Sequence, residues 1–431
     1  MCVDRRGFFQ SAASVAGAAL LAPTLGFAKE ASQASQGRRA PTDVPESIRQ
    51  LKPMTAGISP ISDEERRSRI EKARRLMTEN HLDAIYVESG SSLFYFTGIR
   101  WGQSERMFGM ILPARGEPAY VCPAFEEERA RELIRFGDDV RTWQEDESPY
   151  RRVAEILKDR GIASGRIGIE EKVRFFLFDG IRRESAGVEL ASADSVTVGC
   201  RVTKSPAELA LMQRANDITI AAYRAALETL NEGMTQFEFA AHCAAAFEAL
   251  GVQGGAGVQF GKYSAFPHGS NQPQKLKEGE IVMIDGGCGV EGYRSDITRT
   301  LVFGKPSDRQ RDLWNLERKA QDAALAAAKP GTTCDAVDEA ARRVITDGGF
   351  GPDYDYFTHR VGHGIGLDGH EWTYLVRGNK TPLRPGMCFS DEPGIYLYGE
   401  FGVRLEDCMY ITEDGAKLFT PQSPSIEEPF G

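Results

Sequence analysis

Four acidic residues in the second half of the chain occupy positions where an isolated carboxylate would be costly. Asp285 ends an apolar run from Ile281 that predicts a buried strand, and a buried carboxylate must be paired or bound to a metal. Asp296 follows eleven residues later across a glycine-rich stretch. A hairpin turning near Val290 and Glu291 would set the two acids opposite each other, where they repel unless a cation lies between them.

Glu392 and Glu406 repeat this arrangement. A proline and two glycines interrupt the chain between the strand-like segments Gly386 to Glu392 and Val403 to Ile411. The pattern predicts a second hairpin that carries an acid on each strand.

Histidines are the other unusual feature of this half. The chain has only six, and four of them lie here beside glycines, a proline or the acids. His363 stands between glycines in Gly362-His363-Gly364-Ile365-Gly366, where backbone and side chain could approach a metal closely. The spacing is not that of a Gly-x-Gly-x-x-Gly nucleotide loop, so we reject that interpretation. The other three are His268, His359 and His370.

These residue types predict a centre for two divalent metal ions. Four ionised carboxylates carry a charge of about −4, which two divalent cations neutralise, and one imidazole completes the set. Such an oxygen-rich site favours Mn²⁺, with Fe²⁺, Co²⁺ or Zn²⁺ as alternatives. Two ions about 3.5 to 4 Å apart activate water and polarise a scissile carbonyl, so the predicted chemistry is hydrolysis.

The pattern resembles the pita-bread metallohydrolases of the creatinase/aminopeptidase P/prolidase superfamily. That family's Asp, Asp, His, Glu, Glu ligand set is matched in order by Asp285, Asp296, His363, Glu392 and Glu406. The resemblance covers roughly Pro60 to the C-terminus and is strongest after Ser264. Its supporting motifs are Pro267-His268-Gly269, Gly292 to Thr300, Gly362 to Glu371 and Arg404-Leu405-Glu406.

The resemblance implies a role for each residue. Asp296 and Glu406 would bridge two ions, Asp285 would bind one, and His363 with Glu392 would bind the other. Glu392 would also act as general base, His268 and His370 would steady the tetrahedral intermediate, His359 would help to hold the substrate, and Arg404 would support the ligands. Packing roles for these three histidines and an ordinary ion pair for Arg404 are the competing interpretations.

The activity implied is that of an Xaa-Pro aminopeptidase or dipeptidase acting on proline-containing peptides. Alternatives are a metal-dependent or creatinase-like hydrolase of a small amide or amidino substrate, and a non-catalytic binding module on the same fold. Intact ligand positions argue against a creatinase-like enzyme, which needs no metal, and against the binding module, while a metal-dependent hydrolase of a small amide stays open. The resemblance also implies a homodimer.

Two domains must position these residues. Alternating helical and strand-like stretches over residues 60–199 predict an α/β domain, and the resemblance implies that it is creatinase-like. Ser205, Pro206 and Glu208 then supply an N-cap, a first-turn proline and a capping-box glutamate, and Thr235 with Glu238 caps a further helix. We expect an α+β pita-bread catalytic domain over residues 200–431.

The N-terminus resembles a twin-arginine export signal over residues 1–28, followed by a polar linker over 29–59. Arg5 and Arg6 precede an Ala-rich apolar run, which Pro23 interrupts and which is shorter than the roughly 20 residues of a bilayer span. We therefore expect signal cleavage and a periplasmic or otherwise exported protein without a stable membrane anchor.

The overall composition narrows the partners. A formal net charge of −10 argues against nucleic-acid binding, which requires a basic face. Eight scattered cysteines without a Cys-x-x-Cys pair favour buried apolar thiols over a zinc or redox site.

Overall fold

A computed structural model describes residues 44–430, and the chain from Pro45 onward forms one compact unit. The predicted signal peptide and the first part of the predicted linker lie outside the described residues. Among the helices of the described part, none combines the length and the apolar character that a membrane crossing requires.

The N-terminal half contains one six-stranded mixed sheet in the order β4-β3-β2-β1-β5-β6. Strands β1 and β2 and strands β2 and β3 pair antiparallel, and the other neighbours pair parallel. The strands are β1 Ala84–Glu88, β2 Gly109–Pro113, β3 Ala119–Pro123, β4 Asp139–Trp143, β5 Arg166–Ile169 and β6 Glu189–Ser192.

Helices cover this sheet and account for the alternation in the sequence. They are α2 Asp63–Glu79, α3 Ser91–Thr97, α4 Glu127–Leu133, α5 Pro149–Asp159, α6 Phe175–Glu184 and α7 Asp194–Arg201; the short helix α1 Glu46–Arg49 precedes them and packs on the C-terminal half. Every residue of β1, β2 and β3 is buried, and Val153, Ile156 and Leu157 of α5 pack into the same core. The prediction of an α/β domain is confirmed.

The segment 45–59 differs from the linker that its polar composition predicts. It contains α1, whose Ile48 is buried, and Ser47 Oγ donates to the carbonyl oxygen of Ala225 at 2.8 Å. The amide of Met54 donates to the carbonyl oxygen of Leu250 at 2.9 Å. Buried Ile48 and these two hydrogen bonds therefore anchor the segment on the C-terminal half.

The C-terminal half begins as its capping signals predict. Helices α8 Pro206–Leu227 and α9 Gln236–Ala249 both start with complete capping boxes, and α10 Asp308–Ala327 and α11 Cys334–Asp347 follow. Helix α2 in the N-terminal half starts with a simpler cap, in which Ser62 accepts from the Glu65 amide while the Glu65 carboxylate pairs with Arg69.

Three further sheets complete this half and confirm the α+β prediction. Strands β10-β8-β7 form one sheet, with β9 paired to β8, strands β12-β11-β13-β16-β17 form another, and β14 pairs with β15. The strands are β7 Gly254–Phe260, β8 Ile281–Val290, β9 Tyr293–Arg294, β10 Ile297–Val302, β11 Gly362–Gly364, β12 Glu371–Leu375, β13 Cys388–Asp391, β14 Gly394–Leu397, β15 Phe401–Arg404, β16 Asp407–Ile411 and β17 Ala416–Leu418. Short 3₁₀ turns occupy Ala124–Glu126 and Gly261–Ala265.

The core of the C-terminal half fixes the helices on these sheets. Trp314 of α10 is almost fully buried, and its indole N–H donates to the carbonyl oxygen of Thr300 on β10 at 2.9 Å. The seven cysteines in the described part are free and buried, which agrees with the prediction of buried apolar thiols.

Candidate metal centre

All nine residues singled out in the sequence line one cavity of about 500 Å³. They come from the three sheets of the C-terminal half and from the loops between them. Arg360, Val376, Gly286 and Pro267 complete the wall. The nine are His268, Asp285, Asp296, His359, His363, His370, Glu392, Arg404 and Glu406.

The predicted hairpin that carries Asp285 and Asp296 forms, but its turn lies one residue later than predicted. Glu291 and Gly292 make the turn with φ of 49° and 92°, and a left-handed pair of this kind favours glycine at its second position. Because the turn lies one residue later than predicted, Asp285 pairs with Thr298 rather than with Asp296. The prediction that the two acids are directly opposite is wrong: they are diagonal neighbours on one face.

The second hairpin has the predicted arrangement. Pairing of β13 with β16 and of β14 with β15 follows one register, which places Glu392 opposite Glu406 in the gap between the two paired stretches. The amides of these residues bond to other strands instead: Glu392 N–H donates to Val361 O at 2.8 Å, and Glu406 N–H donates to Thr298 O at 3.1 Å. The bond from Glu406 to Thr298 joins the second hairpin to β10 of the first hairpin.

Ligand atoms of these side chains form overlapping groups in which all atoms lie within 4.8 Å of one another. Glu406 belongs to two of these groups, and Asp296 also belongs to two. The groups are Asp285 with Asp296 and Glu406, His363 with Glu392 and Glu406, and Asp296 with His363 and His370.

The hydrogen bonds of His363 leave one ring nitrogen suited to a metal. Nδ1 lies 3.1 Å from the carbonyl oxygen of Gly364, which can only accept, so Nδ1 carries the proton in the neutral ring. Nε2 then presents its lone pair toward Glu392 Oε1 at 3.2 Å and Asp296 Oδ2 at 3.9 Å. A metal-ligating histidine commonly shows this combination of a carbonyl partner and a free second nitrogen.

Glycine is required beside this histidine. A Cβ added at Gly362 would lie 2.0 Å from the carbonyl oxygen of Ser390, closer than any real contact. Strand β11 can therefore approach β13 only with glycine at this position.

The electrostatics also fit a pair of cations. Burial and the charge of Asp285 raise the pKa of Asp296 to about 7. Burial and the charges of Asp296 and Glu392 raise the pKa of Glu406 well above its ordinary value. Without a cation these carboxylates hold protons that they would release in water, so the donor set is one that bound divalent ions relieve.

Arg404 links the acids to the cavity wall. Its guanidinium pairs with Asp285 Oδ2 at 2.6 Å and donates to Thr298 Oγ1 at 3.2 Å and to Tyr396 OH at 2.9 Å. Thr298 Oγ1 in turn donates to Glu406 Oε2 at 2.7 Å. Arg404 therefore forms an ion pair with Asp285 and belongs to a buried network that reaches two of the acids.

Both ring nitrogens of His359 bond to protein atoms. Nδ1 donates to the carbonyl oxygen of Arg360 at 2.8 Å, and Nε2 accepts from Tyr396 OH at 2.7 Å. Burial lowers the pKa of His359 to about 4, so the ring is neutral at physiological pH. The histidine fixes Tyr396, which holds Arg404.

His370 has an exposed ring that stacks on His363, with ring centroids 3.7 Å apart. Its Nδ1 lies 3.1 Å from Nη2 of Arg360, and since a guanidinium can only donate, Nδ1 accepts. The neutral ring therefore carries its proton on Nε2. Partial burial and the charge of His363 lower the pKa of His370 to about 4, so this neutral form prevails.

Residues 210–413 match metallopeptidase family M24, and residues 69–203 match the creatinase/prolidase N-terminal domain. A curated relative, the Xaa-Pro dipeptidase of Lactobacillus delbrueckii subsp. lactis, is 34% identical over 367 residues, which cover 83% of this chain and 98% of the relative. The chain belongs to metallopeptidase family M24.

Solved structures agree with this assignment. Dipeptidase PepE from Mycobacterium ulcerans superposes with a TM-score of 0.80 at 32% identity, covering 86% of this chain and 100% of PepE. A prolidase from Thermococcus sibiricus superposes with a TM-score of 0.77 at 29% identity, covering 84% and 98% of the two chains. The M24 protein thus has a creatinase-type N-terminal domain followed by a pita-bread catalytic domain, as the sequence predicts.

Three contributors to the M24 site were not predicted. Tyr396 holds Arg404, Arg360 contacts His370, and the thiol of Cys408 bonds to the backbone of Asp296. Arg360 directly follows His359 in the sequence, and this adjacency to a predicted site residue could have indicated its place in the cavity. Tyr396 and Cys408 lie on strands whose register decides their contacts, and no local pattern marks them.

Proposed function

We propose that this M24 protein is a two-metal hydrolase that cleaves the bond before proline in Xaa-Pro dipeptides. The observation that supports it best is the convergence of four carboxylates and one imidazole, drawn from distant strands, on one cavity. Relatives named Xaa-Pro dipeptidase that are 34% identical supply the substrate class.

The proposed ligand sets follow from the shared groups. Asp285, Asp296 and Glu406 would hold one ion, and His363 with Glu392 would hold the other, with Asp296 and Glu406 contributing to both. Bound divalent ions would supply a water of lowered pKa and polarise the scissile carbonyl. We propose Mn²⁺ because the donor set is rich in oxygen.

The remaining residues of the cavity are proposed to transfer or donate protons, or to hold other groups in place. Glu392 is proposed to take a proton from the attacking water, and Ser390 Oγ, which donates to its Oε1 at 3.0 Å, holds the carboxylate in place. The Nε2–H of His370 is available to donate to the oxygen that becomes negative when the carbonyl is attacked. His268, whose exposed ring lines the same cavity, is proposed to assist it.

Arg404 and His359 are proposed to act through position. The pair of Arg404 with Asp285 and its bonds to Thr298 and Tyr396 keep two acids in place. His359 stabilises this network through Tyr396 and so orders the wall against which the substrate packs.

Arg360 supports a preference for dipeptides. It lines the cavity and packs 4.0 Å above the Tyr374 ring, and no carboxylate in the described part of the chain lies within ion-pair distance of it. A dipeptide places its free carboxylate directly after the proline, and a guanidinium binds a carboxylate with two parallel hydrogen bonds. We propose that Arg360 binds this group.

A peptide panel tests the function. Metal-loaded protein should hydrolyse Ala-Pro, cleave Ala-Pro-Gly more slowly and leave Ala-Ala intact, and chelation should abolish the activity. Protein with two bound ions per chain and no activity on either proline peptide would contradict the proposal. Metal-free protein that binds the peptides without cleaving them would favour a binding module.

We also propose export and dimerisation, which the N-terminal sequence and the family resemblance support respectively. Replacing Arg5 and Arg6 by lysine should retain the precursor in the cytoplasm, and N-terminal sequencing of exported protein should begin near Lys29. Light scattering after size exclusion should give twice the mass of the mature chain. Precursor processing unchanged by the substitutions, or a monomeric mass, would refute the respective proposal.

A further inference from the structure

The loop that carries His370 spans residues 365–370 between β11 and β12. Its backbone bonds to other segments lie at its start, where Ile365 N–H donates to Cys388 O at 3.2 Å and the Gly366 carbonyl accepts from Arg294 N–H at 2.8 Å. One further backbone bond, from Gly366 N–H to Asp368 O at 3.1 Å, is internal to the loop. The later part of the loop is held by side chains instead. Asp368 is the centre of these contacts and precedes His370 by two residues.

Three residues of the N-terminal half converge on the Asp368 carboxylate. Ser91 Oγ donates to Oδ1 at 2.6 Å, and Lys172 Nζ and Arg201 Nη2 donate to Oδ2 at 2.5 Å and 2.7 Å. Ser91 begins α3, Lys172 follows β5 and Arg201 ends α7, so that three separate elements of the first domain meet at one acid of the second.

Glu371, directly after His370, extends the same cluster. Lys204 Nζ donates to its Oε2 at 3.0 Å, Arg201 pairs with its Oε1, and the same Oε1 accepts the Asp368 amide at 3.1 Å. The side chains of Lys204 and Glu371 are 2% and 6% exposed, so the pair lies away from water. We call these six residues the Asp368 clamp: Ser91, Lys172, Arg201, Lys204, Asp368 and Glu371.

We infer that the Asp368 clamp is a positioning device by which the N-terminal domain holds His370 over the metal centre. The inference deepens the proposed function, on which it rests for its kinetic test. The ring of His370 is exposed, and its own contacts are the stack on His363 and the bond from Arg360. Such a ring keeps a fixed place only if the backbone beneath it is fixed, and the clamp supplies that restraint from both sides of His370.

The clamp touches no acid of the metal centre. Its partners are hydroxyl, ammonium and guanidinium groups of the first domain and of the chain that leads into α8. Its loss should therefore change the rate of the chemical step without changing metal affinity. A general loss of stability would change both and would not depend on His370.

A double-mutant cycle on the full metal-loaded chain tests this. Asp368→Ala and His370→Ala should each lower kcat on Ala-Pro by about 10- to 100-fold, the cost of misplacing a group at a reacting centre. The double variant should be no slower than His370→Ala alone, since Asp368 acts through His370. Mn²⁺ affinity by calorimetry should stay within about threefold of wild type in Asp368→Ala.

Hydrogen exchange supplies a readout that needs no substrate. Amides of residues 365–371 should exchange faster in Asp368→Ala. Ser91→Ala removes one of the three bonds to the Asp368 carboxylate and should give a smaller increase in exchange, so it supplies the test if Asp368→Ala does not fold. Glu339→Ala is the matched control, because it breaks the exposed pair with Arg343 and should alter neither kcat nor exchange.

Two results would overturn the inference. One is a double variant whose fold-loss in kcat equals the product of the losses in Asp368→Ala and His370→Ala. The other is unchanged hydrogen exchange of residues 365–371 in Asp368→Ala. Failure of the wild-type protein to hydrolyse Ala-Pro would instead count against the proposed function, and the exchange result would still decide the clamp.

Discussion

The thiol of Cys408 bonds to both backbone groups of Asp296. Asp296 N–H donates to Sγ at 3.3 Å, and the thiol donates to the Asp296 carbonyl oxygen at 3.1 Å. Asp296 lies in the gap between β9 and β10, so that a side chain from β16 takes the place of a strand partner. Burial and the charge of Asp296 raise the pKa of Cys408 well above its ordinary value, which keeps the thiol protonated and able to donate.

Cys408→Ala should weaken metal binding because it frees the backbone that aims a shared carboxylate. We expect a loss of about 10- to 100-fold in Mn²⁺ affinity by calorimetry, the usual cost of losing an outer partner of a metal ligand. Cys408→Ser retains a donor and an acceptor and should lose less. Cys122→Ala removes a buried thiol in the first domain and serves as control. Wild-type affinity in Cys408→Ala would show that Asp296 needs no such support.

Arg360→Met should raise KM for Ala-Pro by about 10-fold or more, since a charge-assisted bond to a carboxylate contributes about 1.5 to 3 kcal/mol. The same substitution should leave KM for the amide of Ala-Pro unchanged, because that substrate has no carboxylate. Arg360→Lys keeps the charge and should fall between. Equal effects on acid and amide substrates, measured by initial rates, would place the carboxylate elsewhere.

Glu170 should make stability depend on pH. Burial raises its pKa from 4.5 to about 7, against the opposing hydrogen bond of Ser92. Because the folded state holds this proton more tightly than the unfolded state, proton binding by Glu170 contributes its full stabilisation below about pH 4.5. That contribution to the free energy of unfolding is lost as pH rises from about 4.5 to 7. Glu170→Gln mimics the protonated form, so it should be near neutral at pH 4.5 and stabilising by on the order of 3 kcal/mol at pH 8.

Urea unfolding of chelated protein at pH 4.5 and 8 measures this difference. Exposed Glu184, replaced by Gln, is the matched control and should change stability equally at both values. A Glu170→Gln effect that is the same at the two pH values would mean that Glu170 is ionised throughout.

Removing the metal should lower the melting temperature, because the clustered carboxylates lose their counter-charge. Free Mn²⁺ at 100 times its dissociation constant should add about 2.7 kcal/mol per site to the free energy of unfolding. Scanning fluorimetry with chelator and with a Mn²⁺ series measures this. A melting temperature that chelator and Mn²⁺ both leave unchanged would count against a metal centre.

Local chemistry explains why the acids and the histidine that meet in the cavity could be singled out from the sequence. An acid at the end of an apolar strand, or a histidine between glycines, is costly without a partner, and that cost is visible in a few neighbouring residues. Helix starts at Ser205 and Thr235 were predicted for the same reason, since a capping box lies within four residues.

Contacts set by register or by domain docking could not be predicted. A turn one residue later than expected at Glu291 moved the partner of Asp285 by two positions. Cys408 and Asp368 find their partners 112 and up to 277 residues away, and no spacing in the sequence specifies such encounters.

The number of metal ions bound per chain tests the central claim most directly. Equilibrium dialysis against Mn²⁺ followed by elemental analysis should give two ions for wild type. Glu406 belongs to both ligand groups, so Glu406→Gln should weaken both sites together and lower activity by at least about 100-fold. One ion or none in the wild type, or two tightly bound ions in Glu406→Gln, would contradict a shared dinuclear centre.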